Sequence, residues 1–190
     1  KVLMTKKNII IAVTGASGSI YADLLLKRMN QLTAQIENAG LIFSLNAVSV
    51  WDYEMNKKPI ETYSFKRYNN NDFYAPVASG SSLFDTMIIC PCSMGTLGRI
   101  ASGISTDLIT RAADVMLKER KKLILVTREM PLNLIHINNM KIINEAGGII
   151  CPASPSFYSK PSSTEELLDT VILKILQLAS FDIEGFKWGA

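Results

Sequence analysis

Apolar runs with the character of buried strands alternate with helical patterns along almost the whole chain. The runs are rich in Ile, Val and Leu without polar alternation, and they cover residues 8–13, 41–44, 86–90, 123–127 and 148–152. Such runs are typical of strands that are covered on both faces of a parallel sheet. Helical patterns occur at residues 20–37, 47–56, 94–103, 106–120, 134–146 and 164–178. The alternation predicts an α/β fold: a doubly wound, Rossmann-like or flavodoxin-like, mostly parallel sheet in a three-layer sandwich.

Length and composition are those of one globular domain. The 190 residues are 48% hydrophobic and 19% charged, and the net charge of +3 is too small to indicate nucleic-acid binding. We expect a single domain over residues 1–190, with an N-terminal extension at 1–7, a surface or interface excursion at 59–75 and a docking tail at 179–190. The surplus of apolar residues indicates contacts between copies of the chain.

The apolar runs and the cysteines argue against a membrane, secreted or metal-binding protein. No run approaches the ~18 residues of a membrane span, and the apolar segment after Lys7 is too short for a signal peptide. Cys90, Cys92 and Cys151 are odd in number and lack C-x-x-C spacing, so they predict neither a disulfide framework nor a zinc site. We therefore expect a cytoplasmic protein without a metal.

A turn of glycine and small residues follows the first apolar run. Gly15, Ala16 and Ser17 stand between a strand and a helix, where backbone N–H groups and the helix dipole can hold an anion. The turn resembles that of short-chain dehydrogenases, but those enzymes need a Tyr-x-x-x-Lys pair, and Tyr158 and Lys160 have the wrong spacing. A nucleotide-dependent oxidoreductase is therefore a weaker alternative.

A second turn of this kind follows the third apolar run. Ser93, Gly95 and Thr96 open a helix there, and the small residues of 75–82 precede the run. Because the carboxyl ends of parallel strands lie at one edge of a sheet, two such turns can face one ligand. The pair of turns indicates a mononucleotide or a flavin.

Charged residues stand at two further positions of interest. Arg128 and Glu129 directly follow the fourth apolar run, where an arginine suits a phosphate or flavin oxygen and a glutamate could shuttle protons. Arg111 and Lys118 share one face of a helix. Glu54 has the character of a surface carboxylate when it is considered alone.

A set of short motifs occurs in an order and spacing that is highly specific: TGASG, ASGSS, ICPCSMGT, LITRAADVMLKER, LVTRE and PSFY. The set spans residues 9–178 and resembles the flavin prenyltransferases of the UbiX/Pad type, within the wider superfamily of flavin-containing, decarboxylase-like flavoproteins. The resemblance implies a cytoplasmic transferase that joins the dimethylallyl group of dimethylallyl phosphate to N5 and C6 of reduced FMN, without a metal. The product, prenylated FMN, would serve a UbiD-type decarboxylase in ubiquinone synthesis or in aromatic-acid breakdown. The family also implies a homo-oligomer, with a dodecamer as the expected form.

The same resemblance implies which residues form the site. FMN would be bound by Gly15, Ala16, Ser17, Ser44, Ser93, Met94, Gly95, Thr96 and Arg128. The prenyl phosphate would be bound by Ser79, Gly80, Arg111, Lys118, Arg128, Tyr158 and Lys174. The chemistry would be carried by Glu129, Glu54, Ser17, Lys118 and Tyr158.

Two features bear on the reaction itself. The chain has no Asp-Asp pair, the usual magnesium-holding element of terpenoid prenyltransferases, which agrees with a metal-free reaction of a monophosphate. Lys174 stands where the family usually has arginine, so the charge is kept and bidentate phosphate geometry is lost.

Other flavoprotein functions stay open at this point. One is FMN-dependent decarboxylation of a C-terminal cysteine or of a phosphopantothenoylcysteine-like substrate; another is a flavin-binding chaperone or carrier without chemistry. The related decarboxylases typically have a histidine on the first helix and a Pro-x-Met-Asn segment. Here residues 20–37 contain no histidine, and PVASGSS stands at the corresponding loop.

Overall fold

The computed structural model describes residues 6–56, 65–185 and 189. Its strands are β1 (Lys7–Val13), β2 (Ile36–Phe43), β3 (Lys66–Tyr68), β4 (Thr86–Cys92), β5 (Lys122–Thr127) and β6 (Ile149–Ile150). Its helices are α1 (Ser19–Gln31), α2 (Leu45–Met55), α3 (Met94–Ala101), α4 (Leu108–Lys118), α5 (Leu134–Glu145) and α6 (Thr164–Leu178), with single 3-10 turns at Thr33–Gln35 and Pro76–Ala78.

All strand pairings are parallel, and they form one sheet in the order β3-β2-β1-β4-β5-β6. Side chains alternate between the two faces of β1: Ile9 and Ile11 pack with α1, α2 and α6, and Ile10 packs with α3, α4 and α5. Both faces of the sheet are therefore covered by helices. The predicted doubly wound α/β fold is confirmed, and the order of strands reverses between β1 and β4, which is where ligands bind in such sheets.

Several bounds differ from the sequence prediction, and β2 begins at Ile36 rather than at residue 41. The helix predicted over 20–37 ends at Gln31, because the chain makes a 3-10 turn and enters β2 at Ile36. Residues 66–68, predicted as part of an excursion, form the edge strand β3. The loop after β3 is held on α4, since Asn70 accepts hydrogen bonds from Leu108 N (2.7 Å) and Ile109 N (3.1 Å).

Parts of the predicted terminal and excursion segments lie outside the described residues, namely 1–5, 57–64, 186–188 and 190. Lys7, predicted within the extension, begins β1. In the described part of the tail, Phe181 is buried, and the side-chain amide of Gln35 exchanges hydrogen bonds of 2.8 and 2.9 Å with the backbone of Asp182. Residues 179–183 therefore pack beside the start of β2.

The edge strand is fitted closely against a glycine of β2. A Cβ atom on Gly40 would lie 2.8 Å from Cε2 of Tyr68, whose residue is only 9% exposed. We expect Gly40→Ala to lower the free energy of unfolding in urea by about 1–3 kcal/mol, because the tyrosine ring must shift. In a Tyr68→Ala background the same change should cost much less. An equal cost in both backgrounds would contradict this packing argument.

Candidate functional site

A cleft of about 580 Å³ opens where α2 and α3 begin, which is a volume typical of small-molecule sites. It lies at the carboxyl ends of β1, β2 and β4, beside the reversal of strand order. Five predicted flavin-binding residues line it: Gly15, Ser44, Ser93, Gly95 and Thr96. The other lining residues are Leu45, Asn46, Asn70, Arg99 and Asp107. Sequence analysis did not predict these five.

Two helices begin at the cleft, and each is capped by a serine that the sequence analysis assigned to the flavin. Ser44 Oγ accepts from Ala47 N at 3.1 Å, and Ser93 Oγ accepts from Thr96 N at 3.3 Å. Each helix leaves further N–H groups and the positive end of its dipole at the same opening. The cleft therefore has the character of an anion site.

A buried threonine fixes the distance between the turn after β1, at Gly15, and the turn after β4, at Ser93. The Thr14 hydroxyl donates to the carbonyl of Pro91 and accepts from Ser93 N, both at 2.8 Å, and Thr14 is 2% exposed. The carbonyl of the preceding Val13 accepts from Ser44 N at 3.0 Å. The ends of β1, β2 and β4 are thus joined by hydrogen bonds directly under the cleft.

Three predicted flavin contacts can be made only through the main chain. Ala16 and Met94 are 9% and 8% exposed and pack in the interior. Gly15 has no side chain, and a Cβ there would lie 2.6 Å from Cβ of Asn46, so the turn could not approach α2 this closely with any larger residue.

The N-terminus of α1 is occupied by a carboxylate of the chain itself. Glu54, near the end of α2, accepts hydrogen bonds from Gly18 N (3.0 Å) and Ser19 N (2.8 Å), and Ser17 donates its hydroxyl to it. Partial burial acts to raise the pKa of Glu54, but the hydrogen bonds from Ser17, Ser19 and Gly18 outweigh it and lower the pKa below its usual value. The anion at the first turn is therefore Glu54.

Arg128 and Glu129 line a separate cavity of about 320 Å³ at the end of β5. Nε of Arg128 is buried and has no hydrogen-bond partner among the described residues. The arginine also lies beside the first turn, since its Cδ is 3.9 Å from the position of a Cβ on Gly18. A buried guanidinium nitrogen without a partner indicates that a ligand oxygen belongs there.

Lys174 lines a third cavity of about 450 Å³ between α6 and the segment that follows β6. Pro152 and Ser154 line both this cavity and that of Arg128, so the two are adjacent. Tyr158 is 68% exposed in the loop that leads to α6. Burial raises the pKa of the Cys151 thiol in this cavity, against the opposing charge of Lys174, so the thiol is a poor nucleophile.

The remaining predicted phosphate contacts form a separate group around α4. Lys118 Nζ lies 2.7 Å from the position of a Cβ on Gly80 and pairs with Glu119, and Arg111 Nε donates to the carbonyl of Ala78, next to Ser79, at 3.1 Å. Arg111 also pairs with Asp114 at 2.8 Å. Ser79, Gly80, Arg111 and Lys118 therefore lie close to one another at α4.

Lys118 and Arg128 of one chain do not meet. Lys118 ends α4 and precedes β5, whereas Arg128 follows the end of β5. The six residues of β5 separate these positions by roughly 20 Å at the usual rise of a strand. Together around one phosphate they would have to come from different copies of the chain.

Within residues 6–56, 65–185 and 189, no three or more His, Cys, Asp or Glu side chains are grouped in a way that could hold a metal ion. In that same part of the chain, no helix has both the length and the apolar character of a membrane span.

The carboxylate of Glu54 should stabilise α1 in a pH-dependent way. Since its folded-state pKa is lowered, its contribution is complete above the unfolded-state pKa of about 4.3 and is lost as the pH falls through the folded-state pKa. We expect Glu54→Gln to lower the free energy of unfolding near neutral pH by roughly 0.5–1 kcal/mol, allowing for solvent screening. The difference from the parent protein should vanish in acid titrations.

The control is Asp52→Asn, which changes a carboxylate of the same helix that has no hydrogen bond to α1. This variant should unfold like the parent near neutral pH. A Glu54→Gln difference that persists undiminished in acid would contradict the capping role.

The chain is similar to known flavoproteins over almost its whole length. The Flavoprotein family model matches residues 1–176. Flavin prenyltransferase UbiX of Methanocaldococcus jannaschii is 41% identical over 184 residues, which are 95% of this chain and 98% of the relative.

Two solved structures share the fold closely. AnUbiX (PadA1), solved in complex with FMN and dimethylallyl pyrophosphate, is 39% identical with a TM-score of 0.87, over 96% of this chain and 100% of that one. A dodecameric FMN-dependent UbiX-like decarboxylase from Escherichia coli O157:H7 is 32% identical with a TM-score of 0.90, over the same shares. The prenyltransferase prediction is thereby supported over the cysteine-decarboxylase alternative. From the family model and these relatives, the chain belongs to the Flavoprotein family and, within it, to the flavin prenyltransferases.

Proposed function

We propose that the chain joins the dimethylallyl group of dimethylallyl phosphate to N5 and C6 of reduced FMN. The observation that carries this proposal is the cleft at the start of α2 and α3, with Arg128 beside the first turn and Glu129 in the same cavity as Arg128. A relative with 39% identity was solved with both FMN and dimethylallyl pyrophosphate. We infer the monophosphate as donor, because the chain has no Asp-Asp pair of the kind that holds magnesium for a diphosphate.

The residues present fit FMN. The capped helix starts at Ser44 and Ser93 suit its phosphate. Gly15 lines the cleft, so the main chain of the first turn can contact the flavin there. Nε of Arg128, which has no partner among the described residues, offers a donor to a flavin or phosphate oxygen. When bound, the reduced flavin would supply the nucleophilic atoms N5 and C6.

Cations of the chain would stabilise the departing phosphate. As the allylic C–O bond breaks, negative charge grows on the phosphate, and Arg128, Lys174 and Lys118 of a neighbouring copy would stabilise it. Lys174 lies at the adjacent cavity and is exposed to it. A lysine there acts as a point charge rather than as a bidentate donor.

Two further groups would serve the allyl fragment and its protons. The ring face of Tyr158 can stabilise the positive charge on the allyl fragment. Glu129 is exposed beside Arg128, and its carboxylate accepts only from Met130 N (3.2 Å) in the described chain, so it can accept and return a proton. Glu54, held ionised by Ser17 and the start of α1, would keep a fixed negative charge near the reacting edge.

A homo-oligomer follows from the division of the site. Large apolar side chains are exposed on and before α5, among them Met130 (85%), Leu134 (70%) and Ile135 (68%). Such patches are uncommon on monomers, and a relative with 32% identity is dodecameric. We propose a dodecamer in which the Lys118 group of one copy completes the Arg128 cavity of another.

Two further proposals concern the setting of the enzyme. Prenylated FMN would be handed to a UbiD-type decarboxylase, since a modified cofactor needs an enzyme that uses it. The three cysteines are free and buried, which agrees with a reducing cytoplasm. We also propose that residues 1–190 act as one domain.

The reaction is tested by incubating the protein with reduced FMN and dimethylallyl phosphate without oxygen, followed by mass spectrometry of the extracted flavin. We expect a flavin heavier by one five-carbon unit. Glu129→Gln should retain bound FMN and slow its conversion by roughly a hundredfold or more, because a general acid–base is removed.

Dimethylallyl pyrophosphate serves as the parallel donor in this assay. Equal conversion of both donors would remove the monophosphate preference. An unchanged flavin mass with either donor would overturn the proposed function.

The shared site is tested by mixing two inactive variants. Lys118→Ala and Arg128→Ala should each be inactive alone, and co-assembled oligomers should regain about a quarter of parental activity, because a quarter of random pairings unite an intact lysine with an intact arginine. The control uses Lys141→Ala in place of Lys118→Ala. Lys141 forms an exposed ion pair with Glu145 on α5, so this variant should be active without any partner variant. Mixtures no more active than the single variants would mean that the two residues do not share a site across copies.

A further inference from the structure

Arg99 is the one cation among the residues that line the α2–α3 cleft in the described part of the chain. It follows Gly95 by four residues and therefore lies on the same face of α3. Apart from its chain neighbours and the backbone of its own helix, no atom of the described residues lies within 4 Å of the place where a Cβ on Gly95 would be. The space in front of the arginine is thus open to the cleft.

The guanidinium of Arg99 is held in a fixed orientation. Nη1 donates to Asp107 Oδ2 at 2.5 Å and to Thr106 Oγ1 at 3.1 Å, and Nη2 donates to Thr96 Oγ1 at 3.4 Å. Asp107 is itself fixed, because it caps α4 by accepting from Thr110 N at 2.8 Å. The arginine is therefore positioned before any ligand binds.

These hydrogen bonds leave some N–H groups of the Arg99 guanidinium available to a ligand. A guanidinium has five N–H donors, and within the described residues Nε and one N–H of Nη2 have no acceptor. Two adjacent donors on one edge of an arginine match two oxygens of a phosphate. Arg99 can bind an anion without releasing Asp107.

Charge also favours this role. A phosphomonoester carries close to two negative charges at neutral pH. The two helix starts contribute about half a positive charge each, and the charges of Arg99 and Asp107 offset one another. Without Arg99 the cleft would place a carboxylate next to the phosphate with only the helix dipoles to oppose it.

We infer that Arg99 binds the phosphate of FMN and makes the chain select the phosphorylated flavin over riboflavin; this rests on the proposed function. The competing explanation is structural, namely that Arg99 only ties α3 to the start of α4. A structural role would affect both flavins alike, whereas a phosphate contact affects FMN alone.

The test is a fluorescence titration of the flavin-free, full-length protein with FMN and, separately, with riboflavin. Arg99→Met should weaken FMN binding by roughly 10- to 100-fold, as expected for a charge-assisted contact, and leave riboflavin binding within about twofold. Arg99→Lys should recover part of the loss, because the charge is kept and the fork is not.

Asp107→Asn provides the opposite change. Asparagine caps a helix as well as aspartate does, so α4 should be kept while the negative charge beside the phosphate is removed. FMN should bind several-fold more tightly to this variant, with riboflavin unchanged. Arg28→Met is the matched control, since Arg28 pairs with Asp169 between α1 and α6, outside the cleft, and its FMN-to-riboflavin ratio should equal that of the parent.

The outcomes separate the two proposals. An FMN-to-riboflavin ratio that is unchanged in both Arg99→Met and Asp107→Asn overturns the role of Arg99, whatever happens to prenylation. A second outcome is that Arg99→Met loses its selectivity for FMN while the parent protein leaves the flavin unmodified in the prenylation assay. That result supports the phosphate-binding role of Arg99 and overturns only the prenyltransferase proposal. A parent that binds neither flavin overturns both.

Discussion

The hydroxyl of Thr14 joins the two turns on which the candidate site depends. It bridges the carbonyl of Pro91 and the amide of Ser93 in a position that is almost fully buried, beyond the last ladder pair of β1 and β4 at Ala12 and Ile89. A buried hydrogen bond contributes about 1 kcal/mol, and a buried group left without its partner costs more. The sheet therefore sets the spacing of the α2 and α3 starts, and with it the width of the cleft between them.

Glu54 determines which helix start is available to a ligand. In doubly wound dinucleotide-binding proteins the pyrophosphate lies at the first helix after the glycine turn. Here the carboxylate of Glu54 already accepts from Gly18 and Ser19, and a phosphate at that point would meet its charge. A phosphate would therefore be better placed one helix further along, at the cleft where α2 and α3 begin, which is a physical reason for a mononucleotide and against the oxidoreductase alternative.

The sequence predicted those parts of the fold in which burial extends along the whole element. β4 and β5 are buried over nearly their full length, so their apolar runs mark them, and α6 begins at Thr164, where its helical pattern was predicted to begin. β2 was predicted too short because its first half is polar and partly exposed, and β3 was missed because an edge strand of three residues is too short to show a pattern. Glu54 was identified as important only by resemblance, since its partners lie 35 and 36 residues away and no local spacing reveals them.

Local sequence spacing also fails to show how the cationic residues Lys118 and Arg128 are arranged, and their arrangement has a consequence for function. Lys118 and Arg128 are close in sequence, yet they lie at opposite ends of β5. If they serve one phosphate across an interface, as proposed, no periodicity within one chain could reveal it. An isolated copy would hold the flavin cleft, Arg128 and Lys174 but would lack the Lys118 group. Because the apolar surface around α5 favours association, the assembly that buries this surface would also bring the phosphate-binding set together. Catalysis would then depend on association, while flavin binding through Thr14, Ser44 and Ser93 would depend on the single chain.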